Sequence, residues 1–143
     1  MNLLDARILI VSRSTPVREQ LGELLSSIGV IQIYEASDGL AALALHQNNA
    51  FDLVVADWDT PRLSGLELLR AIRRAASRSH TSALLMSGEL SGVRTIEALK
   101  SGANGLLELP LDAQRAREKL RRIIGAVPEQ RATELWSPEE RFS

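Results

Sequence analysis

The sequence of 143 residues contains no cysteine, which excludes disulfide bonds and thiolate metal sites. It also lacks any apolar run near the roughly 20 residues that a membrane-spanning helix needs, and its first residues, MNLLDARILIV, carry no cleavage signal. Neither charge dominates, because 17 lysines and arginines balance 18 acids to a net charge of −1. These absences predict a one-domain cytosolic protein without nucleic-acid or membrane partners.

What is present is an alternation of short apolar runs with segments of helical period. The runs predict five strands, at residues 8–11, 31–34, 53–56, 83–86 and 106–109. Helix-starting residues follow each run, such as Ser14 with Pro16, Asp38 with Gly39, and Asp112. Strict alternation of this kind predicts a parallel sheet with helices on both faces, joined by right-handed crossovers.

The helical period also predicts which side chains face the sheet. In the third helix Leu66, Leu69 and Ile72 share one apolar stripe, whereas the arginines, Arg73 among them, are placed outward. His46 falls in or beside a predicted loop, as does His80. Both histidines are therefore interpreted as solvated surface residues.

Polar side chains gather where the predicted strands end. In a doubly wound sheet ligands bind beyond the carboxyl ends of the strands. The residues that follow those ends include no base–nucleophile pair and have no histidine in reach. They therefore offer few groups for catalysis. They are Ser12, Arg13, Asp57, Asp59, Ser87 and Leu109.

Five stretches of the chain occur in the order and spacing of a known family. They are RILIVSRSTPVREQLGELLSSIG, EASDGLAAL, FDLVVADWDTPRLSGLELLRAIR, ALLMSGE and GANGLLELPL. The chain resembles bacterial response-regulator receiver domains of the CheY-like kind. The resemblance implies a flavodoxin-like (βα)5 fold with a five-stranded parallel sheet in the order 2-1-3-4-5. It also implies a receiver domain over residues 6–127 and a tail over 128–143 without a separate output domain.

The resemblance assigns roles at the strand ends. Asp57 matches the phosphoacceptor that becomes an aspartyl phosphate, and Ser87 matches the hydroxyl that moves to the phosphoryl group when the domain switches. In the family, Mg²⁺ is held by that aspartate, an acid pair after the first strand and a backbone carbonyl at position 59. Here the acid pair is Ser12 and Arg13. Other family positions also differ, since a lysine is replaced by Leu109, an aromatic switch residue by Leu106, and an acid by Ser64.

These replacements describe a degenerate receiver and predict weak or absent Mg²⁺ binding, because the ion prefers carboxylate ligands. Asp57 remains, and Asp59 is either a second ligand or a loop acid that faces water. A carboxylate at the mouth of an apolar strand needs a partner. We therefore expect Arg13 to pair with Asp57, with a solvated Arg13 as the alternative.

Three functions follow from these residues. In the first, the chain is a stand-alone receiver protein of a two-component phosphorelay that accepts phosphate at Asp57 and acts through protein–protein interaction. In the second, it is a pseudo-receiver adaptor that works without phosphorylation. A phosphatase-like enzyme is the least favoured, and we expect no enzyme. The resemblance implies that a sensor kinase, phosphotransfer protein, target or second copy binds the face of helix 4, strand 5 and helix 5. Four leucines either add apolar surface to that face or pack in the core, with core packing favoured for Leu106: Leu90, Leu106, Leu109 and Leu111.

The predicted tail carries Leu135, Trp136 and Phe142 among charges and prolines. Burying a large aromatic side chain contributes about 1.5–3 kcal/mol. We therefore expect Trp136 to dock on the domain or on a partner. The alternative is a frayed terminus, which is common at chain ends.

Overall fold

The structure is a computed structural model that describes residues 5–75 and 80–125. Strands and helices alternate throughout this part of the chain. In order, they are β1 (Arg7–Val11), α1 (Thr15–Ser27), β2 (Gln32–Ala36), α2 (Gly39–Asn48), β3 (Leu53–Asp57), α3 (Gly65–Arg74), β4 (Ser82–Ser87), α4 (Gly92–Lys100), β5 (Gly105–Glu108) and α5 (Ala113–Gly125). The predicted tail, with Leu135, Trp136 and Phe142, lies outside the described residues. Within the described ranges no helix is long and apolar enough to cross a membrane.

The five strands form one parallel sheet in the order β2-β1-β3-β4-β5. β3 lies at its centre, where Leu53–Asp57 pairs with β1 on one side and β4 on the other. The predicted doubly wound, flavodoxin-like fold is therefore confirmed. Because all strands run the same way, their carboxyl ends share one edge of the sheet, which we call the carboxyl edge.

Each face of the sheet carries its own apolar core. Ile8 and Ile10 of β1 pack with side chains of α1 and α5, whereas Leu9 and Val11 belong to the core under α2, α3 and α4. This division follows from the alternation of side chains along a strand. The continuous apolar runs of β1 and β3 are explained in the same way, since both of their faces are covered.

Side-chain caps fix where the five helices of the described residues begin near the carboxyl edge. Each cap accepts a hydrogen bond from the backbone N–H of the third residue that follows, and the caps are Ser14, Asp38, Ser64, Ser91 and Asp112. Ser64 also forms a full capping box, because Glu67 accepts from the Ser64 backbone N–H. Ser64 therefore has a clear local function, which is to start α3.

Two sequence-based expectations about polar side chains were wrong. His46 lies within α2 and is 1% exposed, and its ring stacks on that of Phe51 with centroids 6.1 Å apart. His80 is exposed, as expected. Arg73 is not turned to solvent but half-buried, and its guanidinium donates to the carbonyl oxygens of Thr81 and Gly102.

Gly65→Ala should destabilise the fold, because a Cβ at position 65 would lie 2.5 Å from the backbone oxygen of Asp57. Forced overpacking of this kind costs about 1–3 kcal/mol. Gly22→Ala is the matched control: it lies inside α1 with open space around its Cβ position, so alanine should stabilise by about 0.5–1 kcal/mol. Urea unfolding of both variants measures the difference. Equal stabilities would contradict the close approach of α3 to the end of β3.

Candidate functional site

The carboxyl edge brings the polar residues after three strands together. Asp57 is the last residue of β3, Ser87 is the last residue of β4, and Ser12 directly follows β1. The sheet register places Asp57 beside Met86 and Ala56 beside Val11. The predicted convergence of these strand ends is thus present in the structure.

The Asp57 carboxylate is half-buried and held by two hydrogen bonds. Its Oδ1 accepts from the backbone N–H of Asp59 at 3.1 Å, and its Oδ2 accepts from the Ser12 hydroxyl at 3.5 Å. Ser12 is itself fully buried, and its oxygen accepts from the backbone N–H of Ser14 at 3.1 Å. The turn after β1 and the turn after β3 therefore orient the carboxylate from both sides.

The expected ion pair between Arg13 and Asp57 is absent. Arg13 is exposed, and neither a hydrogen bond nor an ion pair joins these two described residues. The physical reason lies in the turns, because Ser12 and the Asp59 N–H already supply donors to the carboxylate. An exposed guanidinium is well hydrated, and a surface ion pair would contribute only about 0–1 kcal/mol to stability. Pairing with Asp57 is therefore not favoured.

The residues around Asp57 do not fit the Mg²⁺ ion that the resemblance implies. Ser12 offers a neutral hydroxyl and Arg13 a cation where that ion needs two carboxylates. The Asp59 carboxylate is engaged by an arginine of α4, described next. In the part of the chain that the structure describes, no three acids, histidines or cysteines are grouped so that they could hold a metal.

Arg94 is a member of the site that the sequence did not reveal. Its Nη1 donates to the Ser87 hydroxyl oxygen at 2.9 Å, and its guanidinium contacts both carboxylate oxygens of Asp59 at 3.3 and 3.4 Å. The same guanidinium lies 4.7 Å from the centroid of the Trp58 ring, a cation–π distance. The only sequence signal was an arginine in the first turn of a helix that follows Ser87, and helix position alone does not give side-chain direction.

Leu106 lies on β5, and Leu109 directly follows that strand. Leu109 donates its backbone N–H to the Ser87 carbonyl at 2.9 Å, and its side chain packs against the core under α1 and α5. Leu106 packs on the opposite core, while its carbonyl accepts from the Lys119 ammonium at 2.7 Å. Leu109 thus brings no cation toward Asp57, and Lys119 is bound to the β5 backbone.

A cavity of about 330 Å³ opens between β5 and the start of α5. Apolar side chains line much of it, among them Leu90, Leu106, Leu109 and Leu111. Two cations, Arg115 and Lys119, and two acids, Glu108 and Asp112, also lie at it. On α4 the large apolar side chains Val93, Ile96 and Leu99 are each more than half exposed. This side of the molecule therefore combines an apolar cavity with an apolar helix surface.

Comparisons with known proteins agree with this geometry. A family model described as the response regulator receiver domain matches residues 8–121. The chain is 35% identical over 121 residues to the chemotaxis protein CheY of Pseudomonas aeruginosa, covering 85% of this chain and 98% of that protein. It is 36% identical to CheY-3 of Vibrio cholerae over 120 residues, covering 84% and 92%.

A solved structure shows the same relationship in three dimensions. The chemotaxis response regulator CheY4 of Vibrio cholerae superposes with a TM-score of 0.77 at 29% identity, over 82% of this chain and 98% of that one. The five-stranded parallel order, β2-β1-β3-β4-β5, agrees with these similarities. The chain belongs to the response regulator receiver domain family.

Proposed function

We propose that this receiver domain acts in two-component signalling by binding proteins, and that its output does not require a phosphoryl group on Asp57. The observation that carries the proposal is the charge arrangement at the carboxyl edge. Ser12, Arg13 and Leu109 stand where metal-assisted transfer would need two acids and a lysine.

Electrostatics explains why these positions decide the function. A carboxylate that attacks an anionic phosphoryl group meets like-charge repulsion, and bound cations normally neutralise the developing charge. Here the Asp57 oxygens accept hydrogen bonds from Ser12 and from the Asp59 N–H. Neutral donors of this kind hold the carboxylate in place but bring no full positive charge to a phosphoryl group.

We place the protein-binding surface on α4, β5 and α5. Three apolar side chains of α4 are exposed, and the cavity beside β5 has leucines for walls. Exposed apolar patches with polar surroundings are typical of protein interaction sites. Arg115 and Lys119 lie at this cavity together with Glu108 and Asp112, so its apolar walls, rather than a net charge, supply the anchor for a partner.

Incubation with acetyl phosphate or phosphoramidate, with and without Mg²⁺, tests the proposal. Intact mass spectrometry should detect no added phosphoryl group under conditions that phosphorylate a receiver with both acids and the lysine. Asp57→Asn provides the control for the site. A phosphoryl adduct that forms on the parent chain and disappears in Asp57→Asn would overturn the proposal.

One observation favours phosphotransfer as the second candidate. Asp57 keeps its place as the last residue of β3, half-buried and accessible at the carboxyl edge. In that case the chain would relay a phosphoryl group and signal through the same surface. The adduct measured above is the result that this candidate requires.

A further inference from the structure

We propose that Arg94 is an internal ligand of the Ser87 hydroxyl, which fixes α4 against the carboxyl edge without a phosphoryl group. The inference rests on the proposed function, since it names what holds the domain in one state. Arg94 is a positioning residue in this account, because it acts through Ser87 and α4 rather than on a substrate.

The hydrogen bonds of the Ser87 hydroxyl are the first observation that supports this proposal. A serine hydroxyl has one proton and two acceptor lone pairs. The Ser87 oxygen accepts from Arg94 at 2.9 Å and from the backbone N–H of Glu89 at 3.0 Å, so both acceptor positions are used. Ser87 is also fully buried, and movement of its side chain toward Asp57 would break its charge-assisted hydrogen bond with Arg94.

The second support is the weak apolar anchoring of α4. Of its nine residues only Ala98 is buried, whereas α3 buries five of its ten. A helix with so little buried apolar surface depends on hydrogen bonds and ion pairs for its position. Arg94 provides such a tie in the first turn, where Ser91 caps the same helix through the Arg94 backbone N–H.

The remaining contacts of Arg94 reach the turn after β3. Asp59 pairs with the guanidinium from a mostly exposed position, so salt should weaken this contact. Trp58 is 7% exposed, and its ring contact is protected from solvent. The arginine therefore joins the end of β4, the turn after β3 and α4, and it keeps the exposed apolar side chains of α4 in one orientation.

Amide hydrogen exchange of the full chain, without phosphodonor or Mg²⁺, tests this inference. In Arg94→Met the amides of α4 should exchange about tenfold faster, because the charge-assisted hydrogen bond to Ser87 and the contacts with Asp59 and Trp58 are lost. Ser87→Ala should raise exchange by a similar factor. The double variant should be no faster than the faster single variant, since both substitutions remove the same tie.

Lys100→Met is the matched control, because it removes an exposed cation from the other end of the same helix. Its α4 amides should exchange at the parent rate. Unchanged α4 exchange in Arg94→Met, or rate factors that multiply in the double variant, would overturn the inference. A phosphoryl adduct on Asp57 with faster exchange in Arg94→Met would instead refute the proposed function and leave the Arg94 tie intact.

Discussion

Ser12→Asp combined with Arg13→Asp should create Mg²⁺ binding at millimolar concentration, whereas we expect the parent chain to bind the ion weakly or not at all. The change places two carboxylates beside Asp57, in the turn that follows β1. It also removes the positive charge of Arg13 from the neighbourhood of the ion. Oxygen ligands from one or two carboxylates, together with waters, are what Mg²⁺ requires. Trp58 fluorescence provides the readout, because this residue directly follows Asp57.

The matched control is Ser12→Asn with Arg13→Asn, which keeps the size of the new side chains without their charge. It should leave the titration flat, and Asp57→Asn in the acidic background should abolish binding. Trp136→Phe in every variant removes the second tryptophan from the signal. Saturable Mg²⁺ binding by the parent chain at millimolar concentration, lost in Asp57→Ala, would show that the present residues already form a metal site.

Arg73→Met should lower the free energy of unfolding by about 2–4 kcal/mol, since it leaves several acceptors without their donor. The Arg73 guanidinium donates to the carbonyl oxygens of Thr81 and Gly102 and to the Asn104 side chain, and burial lowers the pKa of Arg73. These bonds join the end of α3 to the loops before β4 and β5. Thermal unfolding should show a decrease of about 8–15 °C in Tm.

Arg74→Met is the control for this prediction, because Arg74 is the exposed neighbour in the same last turn of α3. It should change stability by less than about 0.5 kcal/mol. Arg73→Lys should recover little, because a lysine cannot reproduce the planar fork of donors. Equal losses in Arg73→Met and Arg74→Met would mean that helix charge, rather than the carbonyl contacts, sets the effect.

The fold was predictable because its signals are local. Short apolar runs gave the five strands, and caps such as Ser14 and Asp112 gave the helix starts within a few residues. The position of Asp57 followed from the same logic, since a strand buried on both faces must end where a polar residue can reach solvent. The structure places it as the last residue of β3.

The errors concern contacts between distant parts of the chain. Arg94 lies 35 residues from Asp59, and Arg73 lies 31 residues from Asn104, so no window of sequence shows either contact. His46 was missed for a different reason. The sequence of α2, GLAALALHQN, is apolar on every side, and such a pattern does not show which face is buried.

The strand order also bears on how the chain assembles. β1 meets β2 after 25 residues and β4 meets β5 after 21, whereas β1 meets β3 only after 45. Closing a longer loop has a higher entropic cost, about 0.6 kcal/mol for each doubling of length. We therefore expect β1 to pair with β3 late, after β1–β2 and the strands from β3 onward have formed more locally. Ser12 follows β1 and Asp57 ends β3, so the hydrogen bond between them depends on the pairing of these two strands. It should form late in folding and be lost early when the two strands separate.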